Sequence, residues 1–196
     1  VSADLLSQAE HGPDSQVILL STSKKVIKAV NKEIDIQLAA LPRQEIAAQA
    51  LKNSKSILFK EIGECIEFSN LYAPEHLILA VENPALVSRD VTSAGSVFLG
   101  NWSCESAGDY ASGPNHTLPT SGFAKSYSGV SLDSFVKKIT FQQLDGQGVL
   151  SIGGAVEIMA EAEQLYAHKN AMTLRVGAVT GKQLQQTDII DADEEI

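Results

Sequence analysis

Short apolar runs alternate with helical patterns along the first half of the chain, and this alternation constrains the fold more than any other feature. The helical pattern after Ser23 is the clearest, because Val26, Val30, Ile34 and Leu38 form one apolar face. Strands that alternate with helices indicate an α/β protein with a mainly parallel sheet. The predicted strands are 17–20, 56–60, 76–81 and 96–99, and the predicted helices are 5–12, 22–41, 42–51, 62–72 and 84–91.

The second half of the chain follows a different pattern. Residues 100–129 contain Gly and Pro at many positions and are too long for an ordinary connection. Because this segment also holds Glu105, Asp109, Tyr110 and His116, it favours a functional site over a plain linker. We expect a strand over 138–144, then a helix over 149–174 with a break near His168.

Charge and cysteine content exclude several classes of protein. The 196 residues carry 15 Lys and Arg against 24 Asp and Glu, a net charge of −9. An acidic chain without a basic cluster argues against nucleic acid or an anionic membrane surface as partner. Cys65 and Cys104 form no disulfide framework and fit a reducing compartment. The chain begins at Val1 and reaches a motif within its first turns, so we expect the C-terminal part of a longer protein.

Gln8 and His11 form the first candidate site. They lie three residues apart in a predicted helix, so an amide oxygen and an imidazole share one face and can bind a metal. The alternative interpretation is a polar helix end that stops at Gly12 and Pro13.

Glu75 and His76 form the second candidate site, at the junction of a loop and a strand. A histidine titrates near neutral pH and suits general-base catalysis, and the adjacent carboxylate is a possible second base. The alternative is a salt-bridged loop end.

Two further segments offer ligands. Asp109 supplies a carboxylate and His116 an imidazole, although the first could cap a short helix and the second could be a hydrogen-bonding loop residue. Glu163 and His168 fall in what also reads as an ordinary amphipathic helix. A donor set of nitrogen and oxygen without thiolate suits zinc or a similar divalent ion.

Six motifs taken together resemble the histidinol dehydrogenase family. All four histidines of the chain fall inside these motifs, and the similarity extends from about residue 4 to residue 176. The motifs are SQAEHG at 7–12, YAPEHL at 72–77, SAGSVFLG at 93–100, ESAGDY at 105–110, NHTLPT at 115–120 and AHKNA at 167–171.

The resemblance implies an activity, cofactors and an oligomeric state. Family members oxidise L-histidinol through L-histidinaldehyde to L-histidine, with two NAD, in the last steps of histidine biosynthesis. They are homodimers with one zinc ion per subunit and a shared active site. The implied location is the cytoplasm, or the plastid in a plant.

The resemblance also implies roles for individual residues. The general base is His76, and Glu75 activates water for the second oxidation. The implied zinc ligands are Gln8, His11, Asp109 and, from the other subunit, His168. Substrate is bound by the same four ligands together with His76, His116 and Glu163. No NAD contacts are expected in this chain, which is about half the family's length and has no GxGxxG motif.

The implied domain organisation has three parts. Residues 1–135 form the C-terminal part of a Rossmann-like catalytic domain with a parallel sheet flanked by helices. Residues 136–180 form a small, mainly helical tail domain that reaches the partner subunit, and 181–196 form a flexible acidic tail.

Two other interpretations remain open. A non-catalytic zinc-binding or dimerisation fragment is possible because the NAD-binding half is absent. The second interpretation is a metal-dependent hydrolase with Glu75 as base, although the chain has no HExxH motif.

Overall fold

The computed structural model describes residues 1–181, which fall into two compact units. The first comprises Val1–Lys137, and the second begins at Lys138. Apart from Gly181, the predicted acidic tail at 181–196 lies outside the described residues.

The first unit is an α/β structure, as the alternating pattern predicts. Its helices are α1 (Ser2–Ala9), α2 (Lys24–Leu38), α3 (Gln44–Lys52), α4 (Ile62–Tyr72), α5 (Pro84–Val87) and α6 (Glu105–Tyr110). Its strands are β1 (Ile18–Ser21), β2 (Lys55–Leu58), β3 (His76–Leu79) and β4 (Ser96–Leu99). Short 3-10 turns occupy Ser88–Asp90, Phe123–Lys125 and Leu132–Phe135.

The strands form two separate parallel pairs. β1 pairs with β2, with Ile18 opposite Lys55, and β3 pairs with β4, with His76 opposite Ser96. The parallel direction is confirmed, and no hydrogen bonds join β1 to β3 within the described residues, so a continuous Rossmann-like sheet stays a prediction. The alternation of strands and helices along a sequence predicts that the strands run parallel, whereas the order of the strands in a sheet depends on tertiary packing.

Local chemistry explains several helix ends. The Ser23 hydroxyl accepts a hydrogen bond from the Val26 amide and caps α2. Glu61 and Glu64 form a capping box at the start of α4. α4 ends at Ala73, which adopts a left-handed conformation (φ 55°) directly before Pro74.

A small core lies beneath α1 and α3. Ala9, Val17, Ala47 and Ala50 are buried there, and leucines of the neighbouring helices pack around them. Small side chains allow the helices to approach closely, so this core positions α1, which carries Gln8.

The second unit contains α7 (Gly146–Ala162) and α8 (Tyr166–Thr180), which pack against each other. Gly153 makes this contact close, since a Cβ atom there would lie 2.6 Å from the Val176 side chain. No helix within residues 1–181 is both long and apolar enough to cross a membrane.

Two predictions about the second unit are wrong. Within the described part of the chain, residues 138–144 form no strand, and the apolar side chains Ile139 and Phe141 that suggested one are exposed. The helix break lies at 163–165 rather than near His168, because Gln164 adopts φ 60° and ends the first helix. His168 therefore lies within α8.

Candidate active site

A cluster of one imidazole and two carboxylates lies between the start of β3 and α6, with one carboxylate buried and the other two groups half-buried. His76 is the first residue of β3, Glu105 is the first residue of α6, and Asp109 follows one turn later on the same helix face. The exposed fraction of Glu105 is only 3%. Their ligand atoms all lie within 4.8 Å of one another, a spacing that could hold a metal ion.

His76 lies between the two carboxylates. Its Nδ1 is 3.8 Å from Glu105 Oε1, and its Nε2 is 3.9 Å from Asp109 Oδ1. Both distances exceed a hydrogen bond, so both ring nitrogens are buried without a hydrogen-bond partner in the part of the chain that the structure describes. A buried polar atom without a hydrogen-bond partner lowers the stability of the folded chain. The His76 nitrogens are therefore candidates for binding a ligand.

Two predicted ligands on the α1 side adjoin this cluster. His11 Nε2 lies 3.7 Å from Glu105 Oε1, although the His11 side chain is 61% exposed. The Gln8 amide oxygen is buried and, like the His76 nitrogens, has no hydrogen-bond partner among residues 1–181. Gln8, His76 and Glu105 all line one cavity of about 390 Å³.

Burial and mutual repulsion shift the pKa values of the cluster. Burial, followed by the nearby carboxylates Asp109, Glu75 and Asp4, raises the pKa of Glu105 to about 7. Burial also raises the pKa of Glu75 and lowers that of His76. Perturbed groups gathered beside a cavity are typical of active sites.

Two glycines permit the close approaches that build the site. The Ser96 amide donates to the Glu75 carbonyl, and a Cβ on Gly95 would lie 2.5 Å from that same oxygen. A Cβ on Gly108 would lie 2.6 Å from the Phe98 ring, which itself lies 6.0 Å from the His76 ring. Larger residues at either position would displace Glu75 or α6.

The remaining predicted site residues lie elsewhere. His116 is exposed in the segment that follows α6. Glu163 and His168 are exposed in the second unit, where Glu163 caps the end of α7. Their roles stay predictions, as do those of Gln8, His11, Glu75, His76 and Asp109.

The sequence analysis gave Glu105 no individual role. Its four-residue spacing from Asp109 is the signal that could have identified it, because on a helix these two side chains share a face. The Gly- and Pro-rich composition of residues 100–129 predicts a loop, in which this spacing places no two side chains on one face.

The donor chemistry of the site fits a divalent metal such as zinc. Gln8 offers an amide oxygen that has no hydrogen-bond partner in the described part of the chain, His11 an imidazole and Asp109 a carboxylate, and none of these groups is a thiolate. A group that must be free to ligate is expected to lack an internal hydrogen bond, as the buried Gln8 oxygen does.

Fold and cluster together define an α/β protein with a buried imidazole–carboxylate site that is suited to metal-assisted or acid–base chemistry. The family model described as histidinol dehydrogenase matches residues 1–176, and the chain belongs to this family.

Individual relatives agree with this assignment. A histidinol dehydrogenase from Bacteroides thetaiotaomicron is 60% identical over 91% of this chain and 42% of its own length. A putative histidine biosynthesis bifunctional protein from Photorhabdus laumondii is 53% identical over 98% of this chain and 24% of its own. The crystal structure of histidinol dehydrogenase from Elizabethkingia anophelis superposes with a TM-score of 0.83, at 60% identity, over 91% of this chain and 41% of that one. The chain thus spans about two fifths of the matched histidinol dehydrogenases.

Proposed function

We propose that the complete protein carrying this chain oxidises L-histidinol to L-histidine through L-histidinaldehyde, with zinc and NAD. The observation that carries the proposal is His76 in a member of this family: its two buried ring nitrogens lie between carboxylates and have no hydrogen-bond partner among residues 1–181. Rossmann-like architecture and a helical tail domain over 136–180 belong to the same proposal.

The ligand set follows the resemblance. Gln8, His11 and Asp109 would hold the zinc ion together with His168. When bound, zinc supplies a template for the imidazole and amine of the substrate, and NAD supplies the hydride acceptor. His116 and Glu163 would bind the substrate.

His76 and Glu75 carry the proton transfers. Burial lowers the pKa of His76, so the imidazole is neutral near pH 7 and able to accept the hydroxyl proton of the alcohol. Glu75 precedes it directly, and its raised pKa makes it a stronger base for activating the water that hydrates the aldehyde. Adjacent residues would thereby serve the two successive oxidations.

A shared site in a homodimer is part of the proposal. We infer that one copy supplies His76 and a second copy supplies His168 and Glu163. Large apolar side chains exposed on the first unit, among them Trp102 at 98% and Phe135 at 79%, support an interaction surface between copies.

Mixed dimers of two inactive variants test both parts of the proposal. His76→Ala and His168→Ala would each be inactive alone in histidinol-dependent NAD reduction. When the two variants are refolded together, about half of the dimers are heterodimers. If the site is shared, each heterodimer has one intact site of two, so about a quarter of parent activity is restored. Activity that stays at zero would contradict the shared site, and a parent protein without activity would contradict the oxidation itself.

The non-catalytic alternative has its own expected result. A zinc-binding or dimerisation fragment would bind about one zinc ion per chain and dimerise. It would show no histidinol oxidation even when the portion of a relative that this chain does not span is supplied. Zinc content and solution mass of the purified chain, followed by the same assay on the complete protein, separate the two functions.

A further inference from the structure

Glu105 is a buried titratable group to which neither the resemblance nor the proposed function gives a role. Its side chain is 5% exposed, and its Oε1 lies 3.7 Å from His11 Nε2 and 3.8 Å from His76 Nδ1. A single carboxylate oxygen therefore stands between a proposed zinc ligand and the proposed base. Burying a carboxyl group beside other acids is costly, so its retention requires a reason.

The geometry around His76 shows what this oxygen can do. The two ring nitrogens point to different acids, Nδ1 to Glu105 and Nε2 to Asp109. A neutral imidazole carries one proton, and the nitrogen that holds it is fixed by the hydrogen bond that nitrogen donates. If Nδ1–H donates to Glu105, the lone pair on Nε2 faces the Asp109 side.

Nε2 is directed to Asp109, which is itself a proposed zinc ligand, whereas Glu105 separates Nδ1 from the other neighbouring zinc ligand, His11. An alcohol held at the zinc ion next to Asp109 would therefore meet Nε2. The separations of 3.7–3.9 Å exceed a hydrogen bond, and the proposal requires the Nδ1–Glu105 contact to shorten when substrate binds, as catalytic hydrogen bonds do.

We propose that Glu105 is a positioning residue that accepts a hydrogen bond from His76 Nδ1–H and so presents Nε2 to the substrate. This inference rests on the proposed function for its kinetic consequence only. Both the ionised and the neutral carboxyl group keep an acceptor oxygen, so the role does not depend on the charge of Glu105.

Two substitutions separate positioning from packing. Glu105→Gln keeps the size and one acceptor oxygen, whereas Glu105→Leu keeps the approximate size and removes both oxygens. Glu67→Gln, at an exposed position of α4, is the matched control. All three variants are made in the complete protein.

The expected kinetic result is a graded loss of kcat. Loss of a residue that hydrogen-bonds and orients a metal-ligating histidine typically costs about 10–100-fold, and by this measure we expect about 100-fold for Glu105→Leu and about 10-fold for Glu105→Gln. KM for histidinol and the zinc content stay at parent values in both variants, and the Glu67→Gln control is unchanged. An unchanged kcat in Glu105→Leu, or a raised KM with kcat preserved, would overturn the proposal. Loss of zinc would do so too, because Glu105 would then be a ligand.

A spectroscopic measurement tests the inference without turnover. Nitrogen-15 spectra of labelled histidine distinguish the two tautomers, and the His76 signal is assigned by its loss in His76→Gln. We expect the Nδ1–H tautomer in the parent and in Glu105→Gln, and a mixture or the opposite tautomer in Glu105→Leu. The same tautomer in all three proteins would refute positioning by Glu105. If Glu105→Leu does not fold, the opposite tautomer in the parent is the refuting result. Because the spectra need no substrate oxidation, they give their answer even if the proposed function fails.

Discussion

Glu105 is expected to make the chain less stable as the pH rises. Its pKa is about 7 in the folded chain against 4.5 for an ordinary glutamate. Between these values the folded protein holds a proton that the unfolded protein has released. Stability falls with pH wherever the folded state binds more protons, so the contribution is complete below pH 4.5 and lost as the pH passes 7.

The size of the effect follows from the pKa values. Each pH unit between the two corresponds to about 1.4 kcal/mol, so the full loss is about 3 kcal/mol. Solubility is poor at the isoelectric point, which is near 4.9, so the measurement is made at higher pH. Between pH 5.5 and pH 8.5 the loss that remains is about 2 kcal/mol.

The assay compares the chain with its Glu105→Gln variant, both free of metal, in urea unfolding across this pH range. The amide does not titrate, so the variant gains about 2 kcal/mol relative to the parent by pH 8.5. The lowered pKa of His76 acts in the opposite sense, but it is common to both proteins and largely cancels in the difference. A difference that is independent of pH would refute the burial of Glu105 among carboxylates. The variant is thus expected to be more stable and less active, as is common at functional sites.

Three further substitutions test the site. Gly108→Ala would place a methyl group against the Phe98 ring and cost about 1–3 kcal/mol, which thermal unfolding would register as a Tm lower by several degrees; an unchanged Tm would show that α6 moves freely. His76→Ala in the complete protein is expected to abolish histidinol oxidation with zinc content unchanged, and near-parent turnover would remove His76 from the role of base. His168→Ala is expected to weaken zinc binding by about 10-fold or more in a calorimetric titration, and equal affinity would show that it is no ligand.

Much of the fold follows from local patterns in the sequence. The branched run at β1, the helical periodicity of α2 and the stop at Pro74 all depend on neighbours within a few residues, and the structure confirms these elements. The false strand at 138–144 and the misplaced helix break show the limit of this reasoning. An apolar run does not reveal whether another strand is available to pair with it, and the left-handed Gln164 carries no sequence signal.

The candidate site divides in the same way. The motifs that identify the family contain His11, His76 and Asp109, and their chemistry is readable from residue type alone. Glu105 belongs to one of those motifs, but its place between two imidazoles depends on α1, β3 and α6 meeting.

The sequence by itself determined the α/β class, the family and the donor chemistry, because these depend on residue identity and on spacing along the chain. Only the tertiary structure decided that Glu105 is buried, that its oxygen stands beside both His11 and His76, and that its pKa rises to about 7. Desolvation and charge repulsion act through space, and residues from separate elements become neighbours only when the chain has folded.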